Sequence, residues 1–182
     1  MSKAVIINGG NSKESRLTGI QNRIESFFET EGLPYNIIYV HDLPAEDLIK
    51  SNFSSEEIIQ ANQIVEDADI VVVLTPVYKA SFTGILKTYL DLLPRRILKG
   101  KSVFPVAIGG SIGHLLAIEY ALKPVLSELG ATEILKGVFV VDEQIKRLDG
   151  NEFLIAEEAE NRLNDVLKHF QNQKEVIENR VS

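Results

Sequence analysis

Five short runs of apolar, β-branched residues recur along the chain, beginning at Val5 (VII), Ile37 (IIYV), Ile70 (IVVVL), Val103 (VFPVAI) and Val138 (VFVV), with spacings of 32, 33, 33 and 35 residues. Each is strand-sized and continuous rather than alternating, the pattern of strands covered on both faces. Between them, apolar residues fall at helical spacing: Leu17, Ile20, Ile24, Phe27; then Ile58, Ala61, Val65, Ala68; then Ile85, Leu86, Tyr89, Leu93; then Leu115, Ile118, Leu122, Val125, Leu129. A fifth set, Ile155, Ala159, Leu163, Val166 and Phe170, follows the last run. The segments share no recurring signature, so the even spacing is not that of a repeat protein. Strands joined by helical crossovers predict a doubly wound α/β domain: a five-stranded parallel sheet, order 2-1-3-4-5, with helices on both faces. One domain over residues 1–182 is expected. Glu31 to Pro34 and His41 to Asn52 read as connecting loops, and Ser54 or Ser55 as a helix cap ahead of Glu56 and Glu57. The tail after about residue 173 is expected to be disordered or to reach another subunit.

Composition narrows the chemistry. The 182 residues include no cysteine, which removes disulfides, thiolate metal sites and a cysteine nucleophile, so any redox activity must be borrowed from a cofactor. A net charge of −7 would repel a phosphate backbone, so nucleic acid is not an expected partner. No stretch approaches the ~18 apolar residues of a membrane span, and Ala4 to Ile7 is too short for a signal-peptide core. A cytoplasmic protein with no membrane partner is expected.

In this architecture ligands sit beyond the carboxyl ends of the strands, where strand order reverses between the first and third. The first strand empties into Asn8-Gly9-Gly10-Asn11-Ser12-Lys13-Glu14-Ser15-Arg16. Two glycines, two hydroxyls, an arginine and a following helix N-terminus make an anion cradle. The same residues also suit a tight turn with Ser15 as a plain cap, and taken alone the loop divides evenly between the two readings. Neither GxGxxG nor GxxxxGK[ST] is present. The third strand leads into a loop from Thr75 to Gly84, where Pro76, Tyr78 and Lys79 could receive a planar ring, or where Tyr78 and Phe82 could simply pack on neighbours. The fourth leads to Gly109-Gly110-Ser111, which exposes backbone N–H groups or merely turns the chain. His114 reads as a capping or packing residue; no metal site and no catalytic triad can be assembled from this sequence.

The segments TPVYKASFTGILKTYLDLLP, AIGGSIGHLLAIEYALKPVLSELGA and ILKGVFVVD resemble those of the flavodoxin-like NADPH-dependent FMN reductases, and in particular the flavin reductases of two-component alkanesulfonate monooxygenase systems. The resemblance runs from Val5 to about Asp142. It implies a flavodoxin-like fold, hydride transfer from NADPH to FMN and assembly as a homodimer or homotetramer. A partner monooxygenase that consumes reduced FMN is implied as well. The loop containing Gly10, Asn11, Ser15 and Arg16 would hold the flavin phosphate. Pro76, Val77, Tyr78 and Lys79 would line the ring system, and Gly109, Gly110 and Ser111 would face its pyrimidine end. No residue is assigned a catalytic acid–base role, because the two cofactors carry the hydride. The chain departs from the family where the usual Gly-Ser-Pro-Arg is Gly9-Gly10-Asn11-Ser12, so an early arginine and a serine are missing. The alternatives are a reductase that keeps FMN bound and passes electrons to quinones or azo dyes, and a flavodoxin-type electron carrier.

Pro124 lies well inside the fourth helical set. It has no N–H, so the carbonyl of Tyr120 loses its helical partner, and the helix should kink or widen there. The resemblance implies that Tyr120 belongs to a π-helical segment at a subunit interface.

Overall fold

The computed structural model describes residues 3–149 and 152–181, with side chains through Gln171. Its central strands are β1 (Ala4–Asn8), β2 (Tyr35–Tyr39), β3 (Ile70–Tyr78) and β5 (Ser102–Gly109), with β6 (Glu133–Ile134) and β7 (Val138–Val141) sharing the last position against β5. The order β2-β1-β3-β5-β6 is parallel throughout, so five strand positions stand in the expected flavodoxin-like order. A short β4 (Ser81–Phe82) folds back antiparallel on β3. A separate antiparallel hairpin joins β8 (Ile145–Arg147) to β9 (Phe153–Ile155).

Alternation along the strands explains why both faces need cover. Val5, Ile7, Val71, Val73 and Val103 face one way, onto α3 (Glu56–Glu66), α4 (Gly84–Leu90) and α5 (Lys123–Glu128). Ala4, Ile6, Ile70, Val72, Leu74, Phe104, Val106 and Ile108 face the other way, onto α1 (Leu17–Thr30) and α6 (Glu157–Val181). The chain therefore leaves β1 toward one face and β3 toward the other, which opens a crevice between their carboxyl ends.

Three local features differ from expectation or refine it. The stretch read as a loop from His41 to Asn52 carries a 3₁₀ turn (Val40–Asp42) and a six-residue helix, α2 (Ala45–Lys50). With Leu48 its one buried residue, α2 has too short an apolar stripe to show in the sequence. Ser55 takes the N-cap position of α3, but its hydroxyl turns to Glu57 instead of the helix amides. The defect at Pro124 is absorbed as a π-helix over Ile118–Leu122, in which the Lys123 N–H donates to the Ile118 carbonyl five residues back. Gly137 makes room for this wide turn: a Cβ there would stand 2.6 Å from Ile118 Cγ2. The backbone of α6 runs to Val181, and the expectation for the tail falls on side chains outside the described residues.

Tyr89 is fully buried on α4, and its hydroxyl has no hydrogen-bond partner. Burial pushes its phenol well above the ordinary tyrosine range. An orphaned buried hydroxyl costs stability, so Tyr89→Phe should raise the unfolding free energy by about 1 kcal/mol, read as a higher Tm. A lower Tm would mean that the hydroxyl is satisfied in solution.

Candidate functional site

A cavity of about 440 Å³ occupies the crevice above β1 and β3, within the roughly 300–1,000 Å³ typical of small-molecule sites. One wall comes from the loop between β1 and α1, with Asn11, Ser12, Glu14, Ser15 and Arg16, and from Leu17 at the start of α1. Pro76, Val77 and Tyr78 form a second wall, Ile108, Gly109 and Gly110 a third, and Asp142 and Arg147 close it from the segment after β7.

The first loop is held from behind by a buried polar network. Asn8, 1% exposed, donates to Gln21 Oε1 at 2.6 Å and accepts the Gly10 N–H at 2.8 Å. Gln21 in turn donates to Tyr39 Oη at 2.6 Å and to Glu25. His41 Nδ1 reaches the Gly10 carbonyl at 2.9 Å, and Lys13 lies over the Tyr39 ring while pairing with Asp42. With its own groups satisfied by these partners, the loop presents its outer side to the cavity. The Ser15 hydroxyl is there, buried and without a partner. Arg16 immediately precedes α1, a fourteen-residue helix whose first turn contains no acidic residue to offset its positive end. The Arg16 Nε–H donates to the Ile145 carbonyl at 3.1 Å, which anchors the β8–β9 hairpin and fixes the guanidinium at the cavity edge.

Of the residues singled out from sequence, Asn11, Ser15, Arg16, Pro76, Val77, Tyr78, Gly109 and Gly110 converge on this cavity. Gly10, Lys79 and Ser111 do not line it. Gly10 is buried behind the loop, where its N–H and carbonyl are both taken. Pro76 to Tyr78 prove to be strand, because β3 continues to Tyr78 and reverses through Lys79 and Ala80, both at positive φ (52° and 64°). That tight turn carries Lys79 past the cavity. Ser111 spends its hydroxyl on the Gly113 N–H, capping a 3₁₀ turn. His114 is exposed outside the cavity wall.

Ser12, one of the two hydroxyls the loop offered, lines the cavity as well, and Glu14, Leu17, Ile108, Asp142 and Arg147, which were not singled out, complete it. The hairpin that brings in Arg147 had a sequence signal: Asp149-Gly150, between short segments with apolar residues at Ile145 and at Phe153 and Ile155. Among the described residues no group of three or more His, Cys, Asp or Glu side chains could hold a metal ion, and no helix is long and apolar enough to cross a membrane.

Comparison with known proteins gives this geometry a chemical context. The family model described as NADPH-dependent FMN reductase matches residues 2–146. An FMN reductase (NADPH) of Pseudomonas putida KT2440 is 45% identical over 167 residues, covering 91% of this chain and 85% of its own. An NADH-dependent FMN reductase, SfnE, of Pseudomonas putida is 33% identical over 74% of each chain. Among solved structures, an NADH:FMN oxidoreductase (EmoB) in its apo form superposes with a TM-score of 0.83 at 30% identity, over 95% of this chain and 90% of that one.

Proposed function

The chain belongs to the NADPH-dependent FMN reductase family, and on that premise we propose that FMN occupies the cavity at the β1–β3 switch point with its phosphate on the loop before α1. The observation that carries the placement is Ser15: a buried hydroxyl with no partner, at the positive end of a helix free of first-turn acids, lacks only an anion to accept its proton. Asn11 and Arg16 complete the phosphate side. Pro76, Val77 and Tyr78 then face the ring from one side, and Gly109 and Gly110, where no side chain stands in the way, meet its edge. Gly10, Lys79 and Ser111 support this arrangement from behind or beside it.

When bound, FMN supplies the group that accepts the hydride of NADPH. The chain's own work is to hold the flavin, leave one ring face open beside Tyr78, which is 57% exposed, and offer backbone donors near Gly110. No protein acid or base is needed for that transfer, in keeping with His114 standing outside the cavity. A second copy of the chain is expected to cover the apolar row Ile112, Leu115, Leu116 and Tyr120, the last 78% exposed on the π-helix beside the site. That supports a homodimer or homotetramer with Tyr120 at the interface. The reduced flavin would pass to a monooxygenase partner in the cytoplasm, a reading supported by the resemblance and by the likeness to SfnE.

Steady-state NADPH oxidation, with and without added FMN, tests the reading. The expected result is a colourless protein that consumes NADPH only when FMN is supplied. A yellow protein whose turnover depends on an azo or quinone acceptor, and not on added FMN, would instead assign it to the reductases that retain the flavin.

A further inference from the structure

We propose that Arg147, on the β8–β9 hairpin, is the second cation of the phosphate site and works beside Arg16. The inference rests on the placement of FMN above and adds a residue from a part of the chain outside every motif that led to it.

The loop Gly9-Gly10-Asn11-Ser12-Lys13-Glu14-Ser15-Arg16 contains a single arginine, Arg16. The wall of the cavity contains two carboxylates, Glu14 and Asp142, and a phosphate dianion placed among them with one arginine would be poorly compensated. The nearby Lys13 is committed elsewhere, paired with Asp42 and stacked on Tyr39. Arg147 is the other cation in the cavity wall. It is exposed, and its Nη1 donates to the Glu14 carbonyl at 3.2 Å, so its guanidinium already rests on the phosphate loop.

The hairpin is held where it must be for this. Gly19 of α1 lets β9 approach so closely that a Cβ there would stand 2.8 Å from Phe153 Cβ. The Arg16–Ile145 hydrogen bond ties β8 to the start of the same helix. Ile145 is 2% exposed, and Arg147, two residues on along the strand, lies at the rim. A second cation thus reaches the phosphate loop from a segment distant in sequence.

The test is fluorescence titration of FMN and of riboflavin into the wild type, Arg147→Ala and Arg147→Lys, with NADPH and NADH KM values measured beside them. Losing a charged partner should weaken FMN binding by about tenfold or more in Arg147→Ala while riboflavin binding stays as it was. Arg147→Lys, keeping the charge without the fork, should fall between. Unchanged FMN affinity in Arg147→Ala would overturn the proposal. An equal loss for FMN and riboflavin would overturn it too, by making Arg147 a brace for the hairpin. A rise in KM for NADPH alone would overturn it by giving the cation to the dinucleotide's extra phosphate. If the wild type itself failed to prefer FMN over riboflavin, the placement of the flavin phosphate would fail, a result distinct from these.

Discussion

Gly9→Ala should destabilise the protein by about 2–4 kcal/mol and remove FMN binding with it. The glycine sits where β1 ends, between two elements that cannot yield. Its N–H donates to the Leu74 carbonyl of β3 at 2.8 Å, and its carbonyl accepts from Thr83 Oγ1 at 2.6 Å. Thr83 is the N-cap of α4 and accepts from the Leu86 N–H. A methyl group at position 9 would stand 2.7 Å from Leu86 Cβ. Because the clashing atom is the first of its side chain, no rotamer of Leu86 relieves it. Either β1 or α4 must move, and each movement breaks the Gly9–Thr83 bond and deforms the mouth of the cavity. Gly84→Ala is the control, since a Cβ there meets nothing within 4 Å. Urea unfolding of both variants checks the expectation, and equal midpoints would refute it.

This pair of glycines also shows what the sequence conveys and what it withholds. The buried strands were legible because a strand covered on both faces must be apolar at every position, and a run such as Ile70 to Leu74 has few other uses. The helices were legible where their buried stripe was long, as in α1 and α3. Where the buried stripe shrinks to one residue, as in α2, periodicity has nothing to repeat. The extension of β3 through Tyr78 was hidden for a different reason: its turn uses Lys79 and Ala80 at positive φ instead of the Asn-Gly or Gly pairs that announce such turns.

The site divides along the same line. Residues on loops that leave the central strands were found because topology says where those loops go. Asp142 and Arg147 were not, because their place depends on how an irregular segment after β7 packs on α1, a contact set by Gly19 and Phe153 across more than a hundred residues of chain. The π-helix at Ile118–Leu122 lies between these cases. Pro124 marks the defect, but the choice of a wide turn over a kink depends on the space that Gly137 leaves just before β7.

Arg16→Ala should weaken FMN binding by roughly 10- to 150-fold, the equivalent of about 1.5–3 kcal/mol for a hydrogen bond to a charged group, with riboflavin binding little changed. Arg16 lines the cavity at the start of α1, next to Ser15 with its unpartnered hydroxyl, so on the proposed placement it would act on the phosphate and not on the ring. Its Nε is already spent on the Ile145 carbonyl, leaving the Nη groups for the ligand. Arg16→Lys would keep a charge but lose both the fork and the tie to β8, so it should recover only part of the affinity. Fluorescence titration at low and high salt separates the contributions: the difference between wild type and Arg16→Ala should shrink as salt screens the pair. A loss shared equally by FMN and riboflavin would show that Arg16 works through the hairpin it anchors. Because Arg16 and Arg147 would share one phosphate, removing both should erase the preference for FMN over riboflavin, and a preference that survived would place the phosphate elsewhere.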